Sequence, residues 1–182
     1  MIFERWLMPD EMLPTFREVT PEKLAALGIR FIFSDIDNTL ATYDDPEPPP
    51  DVVRWCRSLA EAGISVVFVS NNNAARVEGF RRPLGLPGYA KAGKPKLGVL
   101  RRAMEDAGAG AEESLLLGDQ LLTDCAAGKR AGMRVIIVPP IKDKTTLFFR
   151  AKRRIEAPYV RKFRREHEKT NRGGGSAGED EA

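Results

Sequence analysis

The stretch Phe31-Ile32-Phe33-Ser34-Asp35-Ile36-Asp37-Asn38-Thr39 decides how this chain is read. An apolar run of strand-forming residues delivers two carboxylates, one residue apart, to the point where the strand ends. Buried strands avoid Asp, because an unpaired carboxylate out of water costs several kcal/mol. Side chains alternate along an extended chain, so Asp35 and Asp37 share one face. Two carboxylates that close repel each other unless a cation or a shared proton holds them. The pattern points to a metal-assisted catalytic centre at the end of a buried strand.

Outward from Arg30–Ser34, apolar runs at Ile64–Ser70, Gly88–Lys91, Ser114–Gly118 and Arg134–Val138 predict further strands. Their near-continuous Val, Ile, Leu and Phe fits strands covered on both faces. Helical patterns lie between them. Pro50-Asp51 opens one that Gly63 closes, with Val53, Leu59 and Ala60 facing inward; a second follows Asn73. A third runs from Pro95 to Gly108, and a fourth from about Thr123 to Ala131, stopped by Gly132. Thr20-Pro21 starts a short helix that ends at Gly28. This alternation predicts an α/β fold, a Rossmann-like parallel sheet flanked by helices. An N-terminal segment with a short helix (1–29) precedes a core over 30–144, followed by a basic, partly amphipathic helical segment (145–172) and a Gly-rich, acidic, disordered tail (173–182).

At 182 residues with 42% hydrophobic composition, the chain suits one globular domain with a sizeable core. No apolar run approaches the ~18 residues of a membrane span. The early acid Glu4 and the lack of an apolar stretch at the start argue against a signal peptide. Cys56 and Cys125, without CxxC spacing, read as buried thiols of a reducing cytoplasm. The net charge of +3 hides an asymmetry: residues 1–144 carry 19 Lys and Arg against 20 Asp and Glu, whereas 145–172 carry 10 against 3. That segment interleaves its bases with Leu147, Phe148, Phe149, Ile155, Tyr159, Val160 and Phe163, and Pro158 is expected to divide it into two short helices. It reads either as a surface lying in an anionic headgroup layer or as a solvated face.

In an open parallel sheet, ligands bind outside the carboxyl ends of the strands. Asp35 and Asp37 follow the first core strand, Ser70-Asn71-Asn72 the second, and Gly93-Lys94-Pro95 the short third. Asp119 and Asp124 follow the fourth, in Gly118-Asp119-Gln120-Leu121-Leu122-Thr123-Asp124. Carboxylates, one hydroxyl and one ammonium on one rim suit phosphoryl transfer from a phosphomonoester. Hard oxygen ligands such as Asp35 and Asp119 favour Mg2+. Lys94 would balance phosphate charge and Ser70 would donate a hydrogen bond to it. A carboxylate can attack phosphorus to give an aspartyl-phosphate, and a second one, Asp37, can protonate the leaving alkoxide and later activate water. The one histidine, His167, lies in the basic segment, which argues against a His-based mechanism. Arg76, Arg81 and Arg82 read as ordinary exposed helix arginines and are not counted among the site residues.

These elements resemble the haloacid dehalogenase (HAD) superfamily of phosphatases: a DxDx[TV] motif, then Ser or Thr, then Lys, then an acidic motif. Here they are Asp35-Ile36-Asp37-Asn38-Thr39, Ser70, Lys94, and Gly118-Asp119 with Asp124. The resemblance implies a HAD-like fold with Asp35 as nucleophile and Asp37 as general acid/base. It further implies that Mg2+ is bound by the Asp35 carboxylate, the Asp37 backbone carbonyl and Asp119. Asp124 would support the metal site and Thr39 would steady the loop.

Spacing speaks to substrate size. Asp37 to Ser70 is 33 residues and Ser70 to Lys94 is 24, each already filled by predicted core elements. Neither has room for a cap domain, so the site is expected to be open, with the turn at 41–50 as its one flap. The chain resembles the capless class III branch, in particular the YqeG-type proteins related to mitochondrial phosphatidylglycerophosphate phosphatase. It does so through Pro9-Asp10, Leu27-Gly28-Ile29, Ile36–Leu40, Ser70-Asn71-Asn72, Lys94-Pro95 and Gly118–Asp124. That resemblance implies dephosphorylation of phosphatidylglycerophosphate in phospholipid biosynthesis. The expected partners are an anionic phospholipid and a membrane surface, with no nucleic acid and no obligate protein partner. The expected location is cytoplasmic, peripheral on the inner face of the cell membrane. Two other readings stay open: a HAD phosphatase acting on a soluble sugar phosphate, nucleotide or phosphoprotein, and a non-enzymatic RNA- or ribosome-binding module using the basic segment.

Overall fold

The computed structural model describes residues 4–142, 154–163 and 165. Six parallel strands form the sheet: β1 (Glu11–Met12), β2 (Phe31–Ser34), β3 (Ser65–Val69), β4 (Gly88–Tyr89), β5 (Ser114–Gly118) and β6 (Arg134–Ile137), in the order β1-β6-β5-β2-β3-β4. The helices are α1 (Pro21–Ala26), α2 (Pro50–Glu61), α3 (Ala74–Arg81), α4 (Gly98–Ala107) and α5 (Ala126–Ala131).

Both sheet faces are buried, which is why the central strands read as unbroken apolar runs. On one face Ile32, Val66, Phe68, Leu115, Leu117 and Ile136 join a single cluster with Leu24, Val52, Trp55, Leu59, Val77 and Phe80. Phe33, Val67, Leu116 and Val135 alternate with them and are equally buried. There α5 lies so close that a Cβ on Gly128 would come within 2.6 Å of Val135 and 3.0 Å of Leu116. The N-terminal segment joins the first face: Trp55 Nε1 donates to the Val19 carbonyl at 2.9 Å, and its ring meets Phe16 edge-on at 5.4 Å.

Four local expectations are corrected. The edge strand β1 is absent from the sequence reading, since two residues between Pro9 and Pro14 show no alternation. Asp10 installs it: its amide donates to the Val135 carbonyl at 2.9 Å, its Oδ2 accepts from the Val135 amide at 2.7 Å, and its Oδ1 pairs with Lys129 at 2.6 Å. Of the residues expected to face inward on α2, Leu59 is buried, but Val53 is half-buried and Ala60 exposed. The buried stripe is Val52, Trp55, Cys56 and Leu59, the i, i+3, i+4, i+7 set that a core-facing helix presents. The third helix starts at Gly98 rather than Pro95, because the Lys96 amide donates to the Gly93 carbonyl and closes a turn first. Finally, 154–163 is helical on both sides of Pro158. A proline inside a helix removes one backbone bond and kinks it without necessarily ending it. Cys56 and Cys125 are both buried, and burial pushes the Cys56 thiol up to about 12.

The intervals where a cap would be inserted hold only the loop before α2, α2 and β3 in one case, and α3, a single 3-10 turn (Arg82–Leu84) and β4 in the other. No cap interrupts the described core. The expected disordered tail, 173–182, and most of the basic segment lie outside the described residues.

Candidate active site

Strand order reverses at β2 and β5: the chain runs from β2 through β3 to β4 on one side, and the later strands lie on the other. Such a switch point opens a crevice beyond the strand ends. Ser34 stands opposite Leu117, and the Asp35 amide continues the ladder by donating to the Leu117 carbonyl at 2.9 Å. The residues that follow the two strands are therefore neighbours.

Asp35, Asp119 and Asp124 each bring a carboxylate oxygen within 4.8 Å of the others. Asp124 reaches the cluster from a single π-helical turn, Leu121–Cys125, where a simple start of the fourth helix was expected. Its amide and that of Cys125 both donate to the Gln120 carbonyl, at 2.9 and 3.1 Å. The widened turn sets the fully buried Asp124 against Gly118, where an added Cβ would lie 2.4 Å from its own Cβ. Lys94 enters between the acids, its Nζ 2.6 Å from Asp124 Oδ1 and 3.2 Å from Asp35 Oδ1, with its side chain 1% exposed.

The electrostatics follow from burial and crowding. Burial pushes the Asp35 carboxyl up to about 6, with Lys94 opposing and Asp124 reinforcing the rise. Asp119 keeps some surface open to water, yet burial of its carboxyl and the charges of Asp124 and Asp35 lift it well above the usual carboxylate range. For Lys94 burial acts downward, but Asp124 and Asp35 outweigh it and hold the ammonium protonated. When all three are ionised, the carboxylates against one ammonium leave two negative charges in excess, which together with burial is what lifts Asp35 and Asp119 without a cation. A set of hard oxygen donors short of two positive charges fits a divalent cation of the Mg2+ kind.

Asp37 is turned to other partners. Arg76 Nε donates to its Oδ1 at 2.9 Å and Asn72 Nδ2 to its Oδ2 at 3.0 Å, so its expected part in metal binding rests on its backbone carbonyl. Ser70 is 1% exposed, and its Oγ accepts from the Asn72 amide at 3.1 Å. Thr39 is buried and closes a turn through its amide to the Ile36 carbonyl at 3.3 Å, while its hydroxyl has no hydrogen-bond partner. Asn38 takes a left-handed conformation (φ 69°), which Asn tolerates better than most residues. Its carbonyl accepts from the Ile141 amide at 3.1 Å and its Oδ1 from the Lys142 amide at 3.3 Å. Lys142 Nζ also pairs with Asp44 at 2.6 Å.

Three residues that the sequence reading did not place in the site belong to it. Asn71 clips the Lys94 backbone on both sides, its Oδ1 accepting from the amide at 2.7 Å and its Nδ2 donating to the carbonyl at 3.1 Å. Asn72 bridges Ser70 and Asp37. Arg76, passed over as an exposed helix arginine, pairs with Asp37 and keeps only 11% of its side chain exposed. A signal existed for Arg76. Asn73 caps α3 by accepting from the Arg76 amide, which puts a cation in a first turn that favours acids, so it needs a partner there.

Comparison with known proteins agrees with this geometry. The HAD-hydrolase-like family model matches residues 91–154. The chain is 37% identical over 155 residues to the probable phosphatase YqeG of Bacillus subtilis, covering 85% of this chain and 90% of that one. A weaker match, 28% over 143 residues, covers 74% of this chain and 53% of the chloroplastic phosphatidylglycerophosphate phosphatase 1 of Chlamydomonas reinhardtii. Among solved structures, an uncharacterized Listeria monocytogenes protein superposes with a TM-score of 0.52 at 14% identity, over 65% of this chain and 85% of that one. A hypothetical protein from Xanthomonas campestris gives 0.51 at 21%, over 64% and 72%. The chain belongs to the haloacid dehalogenase-like phosphatases, on the YqeG-type branch.

Proposed function

We propose that the chain is a Mg2+-dependent phosphomonoester hydrolase that works through an aspartyl-phosphate on Asp35, and that its substrate is phosphatidylglycerophosphate, converted to phosphatidylglycerol at a membrane surface. The observation that carries the chemistry is the cluster of Asp35, Asp119 and Asp124 around Lys94, two positive charges short of balance. Asp35, Asp119 and the Asp37 carbonyl would hold the cation, with Asp124 in support, and the cation would supply charge neutralisation to the phosphoryl oxygens.

An Asp35 carboxylate oxygen attacks phosphorus, the ester P–O bond breaks, and the Asp37 carboxyl gives its proton to the departing alkoxide. Asp37, now a carboxylate, takes a proton from water as that water attacks the phosphorus of the aspartyl-phosphate. Inorganic phosphate leaves and the Asp35 carboxylate is restored. Lys94 counters phosphate charge. Ser70, whose Oγ accepts from Asn72, keeps its own proton to donate to a phosphate oxygen.

Support for the lipid substrate comes from the uncapped core, the basic composition of 145–172 and the likeness to the Chlamydomonas phosphatidylglycerophosphate phosphatase. Among the described residues no helix is long and apolar enough to cross a membrane. The test is phosphate release from phosphatidylglycerophosphate in mixed micelles, with Mg2+ or a chelator, for wild type and Asp35→Asn, beside a panel of soluble phosphomonoesters. Mg2+-dependent release from the lipid, lost in the variant, is expected. Activity confined to soluble esters would discard the lipid substrate, and full activity of Asp35→Asn would discard the nucleophile. With no activity on any ester, salt-dependent RNA binding would favour the binding-module reading.

A further inference from the structure

Arg76 makes more contacts at the site than a charge partner needs. Beyond Asp37, its Nη2 donates to the Thr42 carbonyl at 3.0 Å and its Nη1 to the Asp45 carbonyl. Its guanidinium lies 5.3 Å from the centre of the Phe80 ring, one turn along α3, and Phe80 is fully buried against Phe68 of β3. The loop it grips is a closed unit, since Asp45 Oδ2 accepts from both the amide and the hydroxyl of Thr42, at 2.8 and 2.7 Å. One planar group, pinned on an aromatic ring, thus ties a carboxylate to two carbonyls of the turn expected to act as the flap. A fork of fixed geometry suits such a task better than a flexible ammonium.

We propose that Arg76 is the positioning residue for Asp37: it fixes the carboxyl that transfers the proton and couples its placement to the Thr42–Asp45 turn. This rests on the phosphatase reading above and goes beyond it by assigning a residue outside the four motifs. With Oδ1 on Arg76 and Oδ2 on Asn72, the carboxyl cannot rotate freely, and each oxygen keeps one further direction, open to the proton donated to the leaving group and later to the hydrogen bond accepted from water. Arg76 itself neither forms nor breaks a bond in the reaction.

A positioning role predicts dependence on the leaving group. A p-nitrophenolate departs without protonation, whereas a primary alkoxide needs the Asp37 proton. The experiment measures kcat and KM with Mg2+ for p-nitrophenyl phosphate and for two alkyl esters, glycerol 3-phosphate and phosphatidylglycerophosphate in mixed micelles. Wild type, Arg76→Ala, Arg76→Lys, Asp37→Asn and the Arg76→Ala/Asp37→Asn double variant are compared. Arg76→Ala is expected to lower kcat on alkyl esters about a hundredfold, within the range of general acid catalysis. KM should change little, and the loss on the nitrophenyl ester should be several times smaller. Arg76→Lys, which keeps the charge but cannot span three acceptors, should show the same bias in milder form and guards against simple misfolding of the alanine variant. In the Asp37→Asn background, removing Arg76 should add no further bias. Equal losses on both kinds of ester, a change confined to KM, or a gain on alkyl esters would overturn the proposal while leaving the phosphatase reading intact. A wild type inert towards every ester would overturn that reading, and this one with it.

Discussion

With a chelator present, raising the pH from 5 to 7.5 is expected to weaken the fold, and Mg2+ is expected to restore it. Asp35 has its carboxyl pushed from the ordinary 3.8 to about 6, chiefly by burial. At about 1.36 kcal/mol per pH unit, that rise is worth about 3 kcal/mol against the folded state once the group is forced to ionise. The sign follows from linkage: a folded-state value above the unfolded one means the unfolded chain loses its proton first, so stability is full below pH ~4 and declines until pH ~6. At pH 5 the unfolded carboxyl is already ionised while the folded one is mostly protonated, so roughly half the loss falls between pH 5 and 7.5. Asp119, raised in the same direction, adds to it. Lys94, held protonated, does not titrate in this window. A cation that binds only the folded protein, at a hundred times its dissociation constant, returns about 2.7 kcal/mol. The assay is urea unfolding at pH 5 and 7.5, in chelator and in millimolar Mg2+, for wild type and Asp35→Asn. Wild type in chelator should be weaker at pH 7.5, Mg2+ should help more there than at pH 5, and Asp35→Asn should flatten the difference. A chelated wild type that is equally or more stable at pH 7.5, with the same profile in the variant, would refute the charge argument.

Other outcomes are also expected. Gly118→Ala places a Cβ 2.4 Å from that of Asp124, so thermal melting should show a loss of about 1–3 kcal/mol and phosphatase activity should fall with it. Asn71→Ala removes two hydrogen bonds from the Lys94 backbone, and urea titration should register about 1–3 kcal/mol together with weaker inhibition by inorganic phosphate. Trp55→Phe leaves the buried Val19 carbonyl without its partner and should cost about 1–3 kcal/mol by urea titration, with no change in KM.

The central strands and the helix stops were legible because they obey short-range rules. Ser114–Gly118 runs to the residue as read, and Gly63 and Gly108 end their helices in the left-handed conformation (φ 74° and 64°) that favours glycine. The acids and Lys94 were legible as a rim because each follows a strand end. What escaped reading depends on pairs far apart in sequence. The strand Glu11–Met12 exists through Asp10 gripping Val135, 125 residues away, and no local pattern announces it. The π-helical turn at Leu121–Cys125 adds one residue to a helix start and thereby turns Asp124 towards Lys94, a shift invisible to a count of apolar spacing. Arg76 looked like any surface base until Asp37, 39 residues earlier, was placed beside its helix.

The attachment of Ile141 and Lys142 to Asn38 bears on how the loop around Asp37 keeps its shape. Two backbone amides from the stretch after β6 close on the residue next to Asp37, and Lys142 adds its pair with Asp44. Asn38, in its left-handed conformation, accepts through both its carbonyl and its Oδ1, so the end of the sheet and the start of the loop share one latch. Ile141 and Lys142 thus clasp the loop that carries Asp37 from a stretch of chain outside the four motifs.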